Sequence, residues 1–216
     1  MKNIVVLISG RGSNFVAIQK TALEQNWAET IGAKIALVVS NNPDAKGLKL
    51  AQDFGIETKV VNHRDNPDRE SFEEALIQKI DAYHPEVIVL AGFMRVLTEH
   101  FINHYPGKIL NIHPAILPSF KGLDTHQRAI DAGVRVHGTT VHFVTPELDS
   151  GAIIGQAVVQ VLPSDDEHTL ADRVLAFEHR LYAASLKAVL TGRVRLVEGR
   201  AKTDDETARE LTFFGN

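Results

Sequence analysis

The sequence contains no cysteine, so disulfide bonds, a catalytic thiol and cysteine-ligated metals are excluded. It has no apolar run near the roughly 18–20 residues of a membrane-spanning helix. Its formal net charge of −4 is not the basic excess that non-specific nucleic-acid binding requires. The first apolar run, residues 4–8, is too short for a signal peptide. We therefore expect a soluble cytoplasmic protein whose partners include neither membranes nor nucleic acids.

What the sequence does contain is a regular alternation of short β-branched runs and helical patterns. Predicted strands cover residues 4–8, 35–39, 57–61, 87–90 and 109–113, and helical patterns occupy the segments between them. This alternation predicts an α/β fold: a doubly wound, mostly parallel, Rossmann-like sheet with helices on both faces. Residues 134–144 and 152–162 then predict a C-terminal antiparallel β addition, followed by a long helix over residues 167–190. The C-terminal tail covers residues 191–216, and from Glu198 it is charged and weakly patterned except at Leu211, Phe213 and Phe214.

A glycine-containing loop, Ser9-Gly10-Arg11-Gly12-Ser13-Asn14, lies between the first predicted strand and the first helix. Free N–H groups at a helix N-terminus bind anions, so this loop predicts a phosphate site, with a plain tight turn as the alternative. Ser13 or Asn14 would cap the helix or bond the phosphate. The third glycine of a dinucleotide fingerprint is replaced by Phe15, and the Gly-Lys-Ser/Thr of a P-loop is missing. The loop therefore indicates phosphate rather than NAD.

The strand at 109–113 carries two polar side chains, Asn111 and His113, two residues apart. Side chains at this spacing lie on one face of a strand, and Pro114 should end the strand there. Ligands of open α/β sheets bind at the carboxyl ends of strands. An amide donor beside an imidazole suits acyl-type chemistry, whereas a surface turn is the alternative interpretation.

Five motifs, in order along residues 3–190, extend this pattern. They are Ser9-Gly10-x-Gly12-Ser13-Asn14, Leu90-Ala91-Gly92-Phe93-Met94-Arg95, Asn111-Ile112-His113-Pro114-x-x-Leu117-Pro118, His137-Gly138-Thr139-Thr140-Val141-His142-Phe143 and Glu147-Leu148-Asp149-x-Gly151. Together they resemble the folate-dependent formyltransferase family, and within it the phosphoribosylglycinamide formyltransferases (GAR transformylases). The resemblance implies a single formyltransferase domain over 1–190, with a phosphate-binding N-terminal half and a folate-binding C-terminal half. It assigns no role to the tail at 191–216.

The implied reaction is formyl transfer from N10-formyltetrahydrofolate, as co-substrate, to the amine of glycinamide ribonucleotide in purine biosynthesis. Attack by an amine on a formyl carbon creates an oxyanion and a surplus proton. Asn111 would donate to the oxyanion, and protonated His113 would donate a second hydrogen bond. Asp149 would favour protonated His113 by Coulombic pairing and help the proton leave through water. Neither a metal nor a formyl-enzyme is expected.

The resemblance also implies the substrate contacts. The contacts to glycinamide ribonucleotide would be Gly12, Ser13, Asn14, Met94, Pro114 and Glu178. The folate contacts would be Arg69, Met94, Arg95, Val96, Leu97, Asn111, Thr145, Glu147 and Asp149. His137 would order the active-site loops by hydrogen bonding. Arg11, Lys121 and Asp124 receive no assigned role, and the oligomer is expected to be a monomer or homodimer.

Other functions stay open at this point. A formyltetrahydrofolate hydrolase would normally carry an added N-terminal domain, and a formyltransferase acting on methionyl-tRNA would carry a basic C-terminal one. A non-catalytic nucleotide-binding module is disfavoured by Asn111, His113 and Asp149. The ten histidines include His137 and His142, but their spacing on one strand is not a metal-ligand pattern.

Overall fold

The structure is a computed structural model that describes residues 1–215. The residues group into two compact units, Met1–Leu110 and Asn111–Asn216, which are taken in turn. No helix within residues 1–215 is long and apolar enough to cross a membrane. The prediction of one domain over 1–190 stays a prediction.

The first unit contains a parallel sheet whose strands run in the order β4-β1-β2-β3. Ile4, Val5, Val6, Leu7 and Ile8 of β1 are all fully buried, as a strand flanked by two others and covered on both faces requires. The elements of this unit are β1 (Lys2–Ile8), α1 (Ser13–Glu24), α2 (Trp27–Thr30), β2 (Ala33–Ser40), α3 (Lys46–Asp53), β3 (Glu57–Val60), a 3-10 helix (His63–Asp65), α4 (Arg69–Asp81), β4 (Pro85–Leu90) and α5 (Glu99–His104).

Local sequence signals set the helix boundaries of this unit. The Asp68 side chain accepts a hydrogen bond from the Ser71 N–H and caps α4. Thr98 caps α5 in the same way through the Phe101 N–H. After α3 the chain turns at Gly55, whose φ of +72° favours glycine. These local signals explain where α4 and α5 begin and where α3 ends.

The second unit contains strands in the order β10-β7-β6-β5. β6 and β7 form the predicted antiparallel pair, and β10 pairs with β7 in parallel. The elements are β5 (Ile109–His113), which begins at the end of the first unit, α6 (Thr125–Asp131), β6 (Val136–Phe143), β7 (Ile153–Gln160), α7 (Glu167–Leu190), β8 (Arg195–Val197), β9 (Arg200–Lys202), α8 (Asp205–Glu210) and β10 (Thr212–Phe214).

The predicted fold class is confirmed: a mostly parallel sheet with helices, followed by an antiparallel hairpin and a long helix. α7 begins with a capping box between Asp166 and Thr169, and its apolar face, including Leu170 and Val174, packs beside Val159 of β7. The tail, for which the sequence predicted no element, forms β8, β9, α8 and β10. Only Asn216 lies outside the described residues.

Candidate active site

The glycine loop of the first unit connects β1 to α1 as predicted. Gly12 is the N-cap of α1 at φ +74°, and a Cβ there would lie 2.9 Å from the Gly47 Cα. Only glycine fits this close backbone approach. Because the cap has no side-chain hydrogen bond, the first turn of α1 presents N–H groups of the kind that bind anions. The prediction that Ser13 or Asn14 caps the helix is wrong, since both lie inside α1.

Asn111 and His113 lie in the last three residues of β5, which ends at His113 just before Pro114. Asn111 is half-buried, and His113 is 6% exposed. The Thr139 hydroxyl donates to the His113 carbonyl at 2.9 Å, which ties this end of β5 to β6. The strand therefore ends where the proline predicted, with both polar side chains at its carboxyl end.

Asp149 reaches this end of β5 from the loop between β6 and β7. Its Oδ2 lies 3.5 Å from His113 Nδ1, and its Oδ1 lies 3.9 Å from His142 Nε2. The Nδ2 of Asn111 lies 3.3 Å from the same His142 nitrogen. The second unit thus brings together the predicted carboxamide, imidazole and carboxylate, with a second imidazole that the sequence analysis did not select.

Hydrogen-bond partners fix which nitrogen of each ring carries a proton. His113 Nε2 faces the Phe120 carbonyl at 2.9 Å, and a carbonyl only accepts, so Nε2 is the donor. The other nitrogen of His113, Nδ1, faces Asp149. In His142 the Nδ1 donates to the Phe143 carbonyl at 2.8 Å, so Nε2 is free to accept from Asn111.

The electrostatics of His142 agree with that assignment. Burial lowers the pKa of His142 below its ordinary value, although the Phe143 carbonyl and Asp149 act in the opposite direction and His113 adds to the lowering. A neutral ring protonated on Nδ1 keeps a lone pair on Nε2 for the Asn111 amide. His142 is thereby suited to orient the carboxamide.

The Phe120–Gly122 segment holds the Asp149 carboxylate and the His113 ring in place. The Gly122 N–H donates to Asp149 Oδ2 at 2.9 Å, and the Phe120 carbonyl accepts from His113. Lys121 bonds the Ser150 hydroxyl and lies 3.5 Å from Glu147. Asp149 itself has φ +48°, a left-handed conformation that these contacts support. Lys121 therefore braces the Asp149 loop.

The hydrogen-bonding role that the sequence analysis gave His137 stays a prediction. Neither ring nitrogen makes a hydrogen bond of good geometry within residues 1–215, although the Pro114 backbone acts on the ring as a weak acceptor and raises its pKa slightly against burial. The ring is 1% exposed and packs edge-on against Phe120 at 5.8 Å and His126 at 5.2 Å between centroids. Burial, with a smaller contribution from His126, lowers the pKa of His137 to about 4. The ring supports the site by packing.

The other predicted contacts are distributed over both units. In the first unit, Met94 is 73% exposed and Val96 is exposed, whereas Leu97 is buried. Arg69 is the exposed first residue of α4, and Arg95 is half-buried. In the second unit, Glu178 is buried in the middle of α7. The other predicted contacts in the second unit are Pro114, Thr145 and Glu147. Pro114 is half-buried directly after β5. Thr145 and Glu147 lie in the β6–β7 loop, where the Thr145 hydroxyl donates to the Glu147 carbonyl at 3.2 Å.

An amide donor and an imidazole at the carboxyl end of β5, with the Asp149 carboxylate beside them, suit acyl-transfer chemistry. The sequence agrees at the level of family, because a family model described as formyl transferase matches residues 2–186. The chain belongs to the formyl transferase family.

Within this family, the chain is similar in sequence and structure to glycinamide ribonucleotide formyltransferases. A phosphoribosylglycinamide formyltransferase from Escherichia coli (strain K12) is 43% identical over 204 residues, 94% of each chain. The crystal structure of glycinamide ribonucleotide transformylase 1 from Symbiobacterium toebii has a TM-score of 0.89 at 38% identity and covers 95% of both chains. A formyltetrahydrofolate deformylase from Pseudomonas syringae is more distant, with 28% identity and a TM-score of 0.83 over 95% of this chain and 67% of that one.

Proposed function

We propose that this protein transfers the formyl group of N10-formyltetrahydrofolate to the primary amine of glycinamide ribonucleotide, a step of de novo purine biosynthesis. The observation that carries the proposal is the meeting of Asn111, His113 and Asp149 in the second unit. The similarity to phosphoribosylglycinamide formyltransferases over 94% of the chain supports this choice of substrates. A cytoplasmic location and a monomeric or homodimeric state belong to the same proposal.

Asn111 is the residue that stabilises the oxyanion of the tetrahedral centre. One hydrogen of its Nδ2 is directed to His142 Nε2, and the amide carries a second hydrogen that can serve the oxyanion. A fixed donor of this kind needs no reorganisation when negative charge develops on the formyl oxygen. His142 acts on the reaction through Asn111 and is therefore a positioning residue.

His113 and Asp149 handle the proton that the attacking amine must lose. The amine nitrogen forms a bond to the formyl carbon, the bond from that carbon to N10 breaks, and N10 receives a proton. With Nε2–H held by the Phe120 carbonyl, His113 exchanges protons at Nδ1, on the side of Asp149. Protonated His113 carries an N–H on both nitrogens, so its hydrogen bond to the oxyanion comes from Nδ1–H while Nε2–H stays on the Phe120 carbonyl.

The binding assignments extend this proposal to the substrates. Gly12, Ser13 and Asn14 would hold the ribonucleotide phosphate at the α1 N-terminus, and Glu178 would hold its ribose hydroxyls. The contacts proposed for the glycinamide arm are Met94 and Pro114, and those for the folate are Arg69, Arg95, Val96, Leu97, Thr145, Glu147 and Asp149. No metal is assigned to the reaction.

The proposal is tested by mixing the protein with N10-formyltetrahydrofolate, with and without glycinamide ribonucleotide. We expect loss of the formyl donor only when the amine is present, together with formation of the formylated amine. Equal turnover with water alone would instead identify a formyltetrahydrofolate hydrolase. No turnover in either mixture, with both ligands bound, would support a binding module without catalysis.

Replacing Asp149 with Asn tests the role of the carboxylate. The amide oxygen can still accept from the Gly122 N–H, but the negative charge beside His113 is gone. We expect kcat to fall roughly 10²–10⁴-fold, the usual range for losing acid–base assistance, with little change in affinity for the ribonucleotide. Asp131→Asn, an exposed change on α6, is the matched control. Equal losses of kcat and ribonucleotide affinity would make Asp149 structural.

A further inference from the structure

The loop after β4 carries Met94, Arg95, Val96 and Leu97, yet little apolar packing holds its first half. Met94 is 73% exposed and Val96 is 57% exposed, and only Leu97 is buried. No helix or strand covers residues 91–98. Its conformation therefore depends on hydrogen bonds to neighbouring segments.

Three hydrogen bonds hold this loop to β1 and the residue after it. The Ala91 N–H donates to the Leu7 carbonyl at 2.9 Å, and the Ser9 N–H donates to the Gly92 carbonyl at 3.2 Å. The third is donated by the Met94 N–H to the Ser9 Oγ at 2.7 Å. Of the three, only the bond at Met94 depends on a side chain.

A buried asparagine orients the Ser9 hydroxyl. Ser9 donates its proton to Asn41 Oδ1 at 2.6 Å, which leaves the lone pairs of Oγ to accept from Met94. Asn41 is 5% exposed, at the start of the segment after β2. Without the asparagine oxygen, the hydroxyl would be free to rotate its proton toward Met94 and lose the acceptor geometry.

His63 in turn contacts Asn41. Its Nδ1 lies 3.3 Å from Asn41 Nδ2 and 3.1 Å from the Asn41 backbone carbonyl oxygen. An unprotonated Nδ1 accepts from the side-chain amide and orients the carboxamide, whereas a protonated Nδ1 donates to the backbone carbonyl and holds the Asn41 backbone. These residues also line a cavity of about 450 Å³ that reaches Met94 and Arg95.

We propose that Ser9, Asn41 and His63 are positioning residues that set the Met94–Leu97 loop for substrate binding. The proposal rests on the proposed function, because the role of that loop in binding the ribonucleotide and the folate is part of it. The three residues act in series: His63 orients Asn41, Asn41 orients the Ser9 hydroxyl, and the hydroxyl holds the Met94 N–H.

The first measurement is independent of activity. In Ser9→Ala we expect amide exchange of Met94, followed by NMR in the full chain without substrates, to accelerate roughly ten-fold, because its acceptor is lost. Ser9→Thr retains the hydroxyl and should restore slow exchange. Thr30→Val removes an exposed hydroxyl elsewhere in the unit and is the matched control. Unchanged Met94 exchange in Ser9→Ala would refute the proposal that the Ser9 hydroxyl holds the Met94 N–H, whatever the catalytic activity of the variant.

The second measurement is kinetic and uses formyl transfer to glycinamide ribonucleotide. We expect Ser9→Ala and Asn41→Leu each to raise KM for the formyl donor about 3- to 10-fold, the range of one lost hydrogen bond, with a smaller effect on kcat. Because the residues act in series, the double variant should resemble Ser9→Ala. If the increases in KM of the two single variants multiply in the double variant, Ser9 and Asn41 act independently and the proposed series is refuted. Faster Met94 exchange with unaltered kinetics would refute the positioning role while leaving the proposed function intact.

Discussion

Protonation of His137 should make the folded protein less stable in mild acid. Burial lowers the pKa of this ring from an ordinary 6.5 to about 4. The unfolded chain therefore binds more protons than the folded one between these two values. The stability contributed by the neutral ring is complete above pH 6.5 and is lost as the pH falls toward 4.

The expected loss follows from the two pKa values. For a single site with pKa 6.5 unfolded and about 4 folded, lowering the pH from about 7 to about 5 costs about 2 kcal/mol of unfolding free energy. The structural cause is the burial of a ring that is 1% exposed, and the Pro114 backbone offsets this burial only slightly. A second proton would have to be buried beside His126.

Urea unfolding of the wild type and His137→Leu at about pH 7 and about pH 5 measures this contribution. Leu removes the titrating group at similar volume, so the difference in unfolding free energy between the two pH values should shrink by about 2 kcal/mol. His126, His142 and His179 also have pKa values lowered by burial, and their contributions stay in both proteins. His168→Gln, an exposed change on α7, should retain the wild-type difference. The same pH dependence in His137→Leu and the wild type would refute the reasoning.

Three further substitutions test the remaining geometry. Asn111→Ala removes the oxyanion donor and should lower kcat by roughly 10²–10³-fold in the formyl-transfer assay; a loss confined to KM would contradict that role. His142→Leu removes the acceptor that orients Asn111, so kcat should fall roughly ten-fold, and the double variant with Asn111→Ala should be no slower than Asn111→Ala alone. Gly12→Ala puts a Cβ 2.9 Å from the Gly47 Cα at φ +74°, so we expect about 2 kcal/mol of destabilisation and a Tm lower by about 4–8 °C; an unchanged melting curve would show that the loop can shift.

The elements that the sequence predicted well are those with a strong periodic pattern. β1 and α7 are examples. A strand buried on both faces is a continuous apolar run, and a long helix buried along one face repeats its apolar residues over many turns. α2 and the tail elements were missed, since each is only three to six residues long. β10 is a strand because it pairs with β7, and no local pattern records that pairing.

In the candidate site, too, the sequence predicted some of the groups and not others. Asn111, His113 and Asp149 were identified from residue type and motif, and the structure brings them together. His142 was dismissed because its spacing from His137 does not suit a metal, although that argument says nothing about a hydrogen bond to Asn111. The Phe120 carbonyl and the Gly122 N–H are backbone groups, which residue identity cannot reveal.

Two imidazoles near one carboxylate have different tasks because their second partners differ. The Phe120 carbonyl holds the proton of His113 Nε2, so its Nδ1 faces Asp149 and is the nitrogen to which the proposed reaction assigns proton transfer. The Phe143 carbonyl holds the proton of His142 Nδ1, so its Nε2 accepts from Asn111. A doubly protonated His142 would instead present N–H to Asn111 and turn the carboxamide oxygen toward itself. Burial, which lowers the pKa of His142, prevents that reversal near neutral pH and keeps an N–H of Asn111 available to an oxyanion.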